Sequence, residues 1–159
     1  MIDLLVDIVS KNGNLLLNVV LYPDGSLPPE SQTLLDELAV WMPVNGEAIH
    51  GTRPWTVFGE GPTEAIDGAF KENATYTPSD IRFTTRGDTL YAITLGEPRQ
   101  SVVIKSLGRR AGHTKKSVRR VQVLGVREAL SFRQTDDALT IDLPASLPTR
   151  HASAFKISF

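Results

Sequence analysis

The spacing of apolar residues changes once along this chain, near residue 55, and that change constrains the fold more than any single motif. Before it, apolar residues recur at helical spacing. Ile2, Leu5, Val6 and Val9 stand at i, i+3, i+4 and i+7, and Leu4 and Ile8 widen the face. Asn12-Gly13 predicts a stop, with Gly13 suited to the left-handed position beyond the C-cap. Leu15 to Val20 is a short apolar run broken by Asn18, and it reads as a strand buried on both faces. Tyr22 to Pro29 is a loop built on Pro-Asp-Gly. A second helix begins at Pro28 or Pro29 and lines one face with Leu34, Leu35, Leu38, Trp41 and Met42. Pro43 is expected to end it, by removing a donor and clashing with the preceding turn.

From about Thr56 the period is two. Ile81 to Leu95 reads as a hairpin turning at Arg86-Gly87-Asp88. Ser101–Leu107, Ser117–Gly125, Ala129–Gln134, Ala138–Leu143 and Ser153–Phe159 follow as strands, with a tight turn at Asp136-Asp137. The expected fold class is mainly β: an antiparallel β-sandwich over residues 56–159, preceded by a helix-strand-helix unit over residues 1–55. Such a unit is one step of an α/β sheet or barrel, and one strand makes no sheet. Its neighbours are therefore expected outside this chain, or in a second copy that associates through residues 1–55.

A length of 159 residues fits one domain, or one domain with a short appendage. The formal net charge of -1 argues against a globally basic nucleic-acid binder. No apolar run approaches the roughly 18 residues of a membrane span. Asp3 and Asp7 interrupt the first apolar stretch and no positive segment precedes it, so no signal peptide is expected. There is no cysteine, which removes thiolate chemistry and leaves the compartment open.

The chemistry-bearing residues are scattered. Asp3 and Asp7, four apart on one helix face, read as a solvated face, as do Glu60, Glu64 and Asp67 in a Gly/Pro-rich loop. His50, His113 and His151 lack ligand spacing, so no metal or other cofactor is expected. Ser31 and Ser131 have no histidine pattern around them. Lys105 to Arg120 holds seven cations and no acid, and reads as an exposed hairpin loop. Contact with nucleic acid or an anionic glycan is the sharper reading, and no aromatic residue interleaves for base stacking. Trp41 belongs to its helix's apolar face. Trp55 reads as a plug between the two parts of the chain, with sugar stacking as its alternative. Asn73-Ala74-Thr75 is a glycosylation sequon.

Five stretches in order, Leu5–Val19, Pro23–Glu30, Val44–Trp55, Tyr76–Ile93 and Ala138–Pro148, resemble the α-L-fucosidases of glycoside hydrolase family 29. "NGNLLLN" followed by "VNGEAIHGTRPW" carries most of the likeness. The resemblance implies that Leu15–Val19 is the last strand and Pro29–Met42 the last helix of a (β/α)8 barrel, with the C-terminal sandwich after it. It further implies retaining hydrolysis of fucosides by two carboxylates that lie upstream of these motifs, so no catalytic residue is carried onto this chain. Val20 and Leu21 depart from the family's Gly-Pro, His50 from its usual Tyr, and Pro43 from a helix-compatible residue. Asn18 falls at the functional end of the implied strand and is the candidate substrate contact there, with bonding to neighbouring loops as its other reading.

Two functions follow. One is the C-terminal portion of a fucosidase acting on fucosylated glycans, a structural module inactive alone and partnered by a missing barrel. The other is a stand-alone carbohydrate-binding sandwich, with Trp55 as a sugar contact.

Overall fold

A computed structural model describes residues 1–63 and 75–159. Glu64, Asp67 and Asn73 of the sequon lie outside the described residues. Two helices, α1 (Ile2–Ser10) and α2 (Pro29–Asn45), precede eight strands. These are β1 (Arg53–Glu60), β2 (Ile81–Arg86), β3 (Thr89–Thr94), β4 (Val102–Ile104), β5 (Arg120–Val123), β6 (Phe132–Gln134), β7 (Leu139–Ile141) and β8 (Ser153–Ser158). All pairings are antiparallel and form a five-stranded sheet, β1-β2-β3-β8-β5, and a three-stranded sheet, β4-β7-β6. The sandwich of the sequence reading is thus present, with ladders shorter than its apolar runs.

The five-stranded sheet is covered on both faces. On one, Phe83, Leu90, Val121 and Phe155 pack against Ile104, Leu139 and Ile141 of the smaller sheet. On the other, Tyr91, Ile93 and Ala154 pack against Ile2, Val6, Trp41 and Ile49 of the helical segment. Alternation along one strand sends successive residues to opposite faces, so β3 is buried from Leu90 to Thr94 without a polar-out position. The molecule has three layers: helices, large sheet, small sheet.

The local chemistry explains each boundary. At the end of α1, Asn12 donates from its amide to the Val9 carbonyl and Gly13 to the Ile8 carbonyl, the paired bonds of a Schellman motif. Asn12, and not Gly13, takes the left-handed conformation, at φ +66°. Gly13 is needed for space: a Cβ there would stand 2.8 Å from Ile8 Cγ2. The helix α2 runs through Pro43 to Asn45, where a stop was expected. Only the bond to the Ala39 carbonyl is lost, two residues from the end, and both residues are exposed to water that satisfies it. The β2–β3 hairpin turns over two residues, and Gly87 takes φ +57° as tight hairpin loops require. Between Pro54 and Gly59 the β1–β2 register shifts in a bulge, and a Cβ on Gly59 would lie 2.4 Å from the Ile81 carbonyl oxygen.

Leu15 to Val20, the strand of the sequence reading, is extended chain with no ladder partner among the described residues. The hydrogen-bonding neighbours such a strand requires are not among them. Its side chains are correspondingly open, Leu16 to 93% and Val20 to 67%.

Asp7 also departs from the solvated face expected of it. It is buried, accepts from Arg82 Nε of β2, and takes Lys11 Nζ at 2.8 Å. Arg82 itself is 3% exposed and its guanidinium stacks 5.3 Å from the Tyr76 ring and 5.5 Å from that of Phe58. Removing one partner of a buried pair strands the other charge. Asp7→Ala is therefore expected to cost about 3–5 kcal/mol of stability in urea unfolding, and the double replacement Asp7→Leu with Arg82→Met to recover most of it. A single replacement within experimental error of the parent would refute the assignment.

Candidate functional site

The polar groups of this chain gather where the helical layer meets the large sheet. Trp41, on the apolar side of α2, donates its indole N–H to the Ala152 carbonyl at 2.8 Å. One turn on, Asn45 donates to the Thr149 hydroxyl at 3.1 Å and accepts from the Ala154 amide at 3.2 Å. The Thr84 hydroxyl donates to the Ala48 carbonyl at 2.7 Å. Glu47 Oε1 accepts from Lys156 Nζ at 2.7 Å and from Tyr91 Oη at 2.8 Å, and forms an ion pair with Arg86 at 3.2 Å. The Lys156 bond, with the Tyr91 hydroxyl, holds the Glu47 carboxyl below its ordinary range against the opposing effect of burial. Burial, with Glu47 opposite, pushes the Tyr91 phenol up to about 12.

A second carboxylate closes the chain on itself. Asp80, fully buried, accepts four bonds of 2.8–2.9 Å, from the amides and hydroxyls of Thr63 and Thr77. Burial raises its pKa, and the four donors outweigh burial to leave it low. Asp3 has no such donors, and burial raises its carboxyl. Asp7, Glu47 and Asp80 thus serve as structural acceptors, whereas Asp3 Oδ1 is buried without a hydrogen-bond partner and the Asp80 charge adds to the rise of its carboxyl. Among the described residues no group of three His, Asp or Glu side chains is placed to hold a metal ion.

The other candidates are dispersed. His50 lines an open hollow of about 840 Å³ with Asn12, Asn14, Thr52 and Arg53. His113 stands edge-on to Trp55 at 5.7 Å, and His151 lies 3.6 Å from Glu37 of α2. Trp55 is on β1 and faces the small sheet, 5.1 Å from Phe83 in a T-shaped pair. It belongs to the core between the sheets, away from the helical layer it was expected to plug, because β1 begins at Arg53 and Trp55 shares its face with Val57. Asn18 is exposed on the extended segment. Beside it in the chain Leu16, Val20, Leu21 and Tyr22 are exposed, while Val40 of α2, 67% exposed, lines a separate hollow with Asp36, Glu37, Arg150 and His151. Sequence periodicity had no means of separating these from core residues, since exposure depends on what covers the face.

Two parts of the chain match two family descriptions. A profile described as Alpha-L-fucosidase matches residues 1–47, and one described as Alpha-L-fucosidase C-terminal domain matches residues 72–158. The chain is 32% identical to the tissue alpha-L-fucosidase of Mus musculus over 93% of its length, and 30% identical to that of Homo sapiens over 95%. It spans only 28% of each of those proteins. Among solved structures it superposes on the Thermotoga maritima alpha-fucosidase in complex with a mechanism-based inhibitor at a TM-score of 0.73 and 30% identity. That match covers 97% of this chain and 32% of the other. An α-L-fucosidase structure matches at a TM-score of 0.74 with 31% identity, covering 99% and 32%.

The low carboxyls give the junction a pH dependence of defined sign. A group held below its unfolded pKa contributes stability above that value and loses it as pH falls through the folded one. Stability to urea should therefore drop below about pH 4 as Glu47 and Asp80 take up protons. Asp80→Asn should cost about 2 kcal/mol at neutral pH and make the acid limb shallower. At the alkaline end the sign reverses. Tyr91 stays protonated in the fold while the unfolded phenol ionises near 10, so stability should fall between about pH 10 and 12, a loss that Tyr91→Phe should lessen and that burial of the Tyr76 phenol shares.

Proposed function

Since the chain belongs to the α-L-fucosidase family, we propose that it acts as the C-terminal portion of a retaining α-L-fucosidase. In this reading residues 1–55 supply the last βα unit of the barrel and residues 56–159 the C-terminal sandwich. The chain closes and stabilises the barrel, and the two carboxyls of the retaining reaction, about 5–5.5 Å apart in such enzymes, lie outside it. The substrate of the whole enzyme would be a fucosylated glycan.

The observation that carries this reading is the two-sidedness of the helical segment. Its inner side is tied to the sheet through Asp7, Trp41, Asn45 and Glu47. The segment before α2 presents Leu16, Val20, Leu21 and Tyr22 to solvent, with nothing over them among the described residues. A barrel needs such a unit: an extended segment with free backbone groups to pair, followed by a helix whose flank meets the helix before it. Asn18 is the one amide in that segment beyond Asn14, and we assign it to the mouth of the barrel, where a side chain meets substrate or the loops that shape its site. The buried carboxylates Asp7 and Asp80 are committed to Arg82 and to Thr63 and Thr77, which leaves neither for acid-base work.

A stand-alone carbohydrate-binding sandwich is the second reading. Trp55 would be its sugar contact, but the ring is half-buried and both its neighbours, Phe83 and His113, meet it edge-on.

Two measurements test the first reading. The purified 159-residue chain should not release aryl alcohol from an aryl α-L-fucoside above the buffer rate, and turnover that stays with the chain through purification would overturn it. The chain should also associate with itself in sedimentation, through the exposed apolar residues of the 16–22 segment, and Leu16→Asp with Val20→Asp should shift it to monomer. A strictly monomeric parent chain would count against the open-barrel account. Heat on calorimetric titration with fucose would favour the second reading.

A further inference from the structure

The segment from Lys105 to Arg120 is unused by the fucosidase reading. It holds seven of the chain's 17 cations and none of its 18 acids. The segment joins β4 of the small sheet to β5 of the large one, so it crosses from one sheet to the other. It is built as a platform. The amides of Arg109 and Arg110 donate to the Thr135 and Asp136 carbonyls, at 3.0 and 2.9 Å. Gly108 lies against the Asp136-Asp137 turn so closely that a Cβ would stand 2.4 Å from the Asp137 carbonyl carbon. In the middle, His113 rests edge-on against Trp55. At the far end the Val118 amide donates to the Gln134 side chain and the Arg119 amide to the Ser158 carbonyl.

Two of the seven cations are spent locally: Arg110 on Asp136 and Asp137, and Lys116 on Asp88. Lys105, Arg109, Lys115, Arg119 and Arg120 are exposed and have no ion pair among the described residues. Five exposed cations thus lie along a backbone held at both ends, the Glu60 carboxylate accepting the Lys105 and Ser106 amides at its start, and a backbone already ordered lowers the cost of association.

We propose that this loop is a docking surface for a sulfated polysaccharide. The choice among polyanions follows from what accompanies the charge. Single-stranded nucleic acid is held by aromatic side chains interleaved with cations. Here the segment's apolar side chains Leu107 and Val118 are buried, and the Trp55 ring lies edge-on to Phe83 and His113. None of the exposed large hydrophobic residues falls in the segment, which leaves no wedge for bases or for a membrane surface. What remains is point and forked donors on a surface, suited to sulfate groups spaced along a flexible chain.

The probe is size-fractionated dextran sulfate titrated into the 159-residue chain, with unsulfated dextran and a single-stranded oligonucleotide of equal charge as the other arms. With roughly five contacts at about 0.7 counterion each, log affinity should fall with log salt at a slope of about -3.5. That is about 100-fold between 50 and 200 mM salt. Replacing Arg109, Lys115 and Arg119 by serine should bring the slope to about -1.4, about sevenfold over the same range, with the thermal transition unchanged. Should that triple variant fail to fold, Lys115→Glu alone should still weaken binding and lower the slope. Unsulfated dextran should not bind. Binding to dextran sulfate that is insensitive to salt, variants that bind as the parent does, or an oligonucleotide bound more tightly than dextran sulfate would each overturn the proposal.

Discussion

A sheet that is apolar on both faces has to be covered twice. That constraint organises the molecule. The central strands β3 and β8 alternate their side chains between two cores, so neither face can be left to water. The small sheet covers one face with Ile104, Leu139 and Ile141, and the helices cover the other with Ile2, Val6 and Trp41. An antiparallel sheet more often solvates one face and shows clean alternation. Here the near-continuous burial of Leu90 to Thr94 records that the helical segment is part of the same folded body as the sandwich.

Apolar cover alone would let the helices slide over the sheet, since hydrophobic contact carries no direction. The junction is therefore fixed by a few polar pairs of high sequence separation. Arg82 reaches Asp7 across 75 positions, Trp41 reaches Ala152 across 111, and Lys156 reaches Glu47 across 109. The first two place a donor and acceptor where misregistry would leave one of them buried and unpaired, at a cost larger than the bond itself is worth, while the half-exposed Lys156–Glu47 pair adds direction at the rim. This is why the charged residues of the interface sit beside its aromatic ones: the rings of Tyr76 and Phe58 flank the Arg82 guanidinium, and the Tyr91 hydroxyl completes the Glu47 set.

Much of this architecture was readable from sequence, and the parts that were not have a common cause. The helices, the β2–β3 hairpin and the strands after residue 100 follow from local period and turn chemistry, which need no knowledge of distant residues. The partner of Asp7 lies on another element, so spacing within α1 presents it as a solvated carboxylate. Trp55 reads as a junction plug because it ends the helical text, whereas its face is set by its place in the β1 alternation beside Val57. Pro43 reads as a stop, yet at the solvent-facing end of α2 the lost bond is cheap. The candidate surface was legible in kind, as a strand short of neighbours, while its extent depends on which side chains the sheet had already covered.

The tie between the two layers bears on how such a unit can serve a larger fold. Leu15 to Val20 offers backbone unpaired among the described residues and exposed leucine and valine, the features of a strand edge that recruits others. If the helices were loosely attached, that edge could be satisfied by rearrangement within the chain. Asp7 and Trp41 hold the two helices, and Glu47 the turn after them, against the sandwich, so both ends of the segment between the helices are anchored. Rigidity on the inner side is thus what makes the outer side specific. The same reasoning separates the Lys105–Arg120 loop from the barrel question. It links the two sheets and is anchored to Gln134 and Ser158 on strands of both, so whatever meets its cations leaves the helical face free.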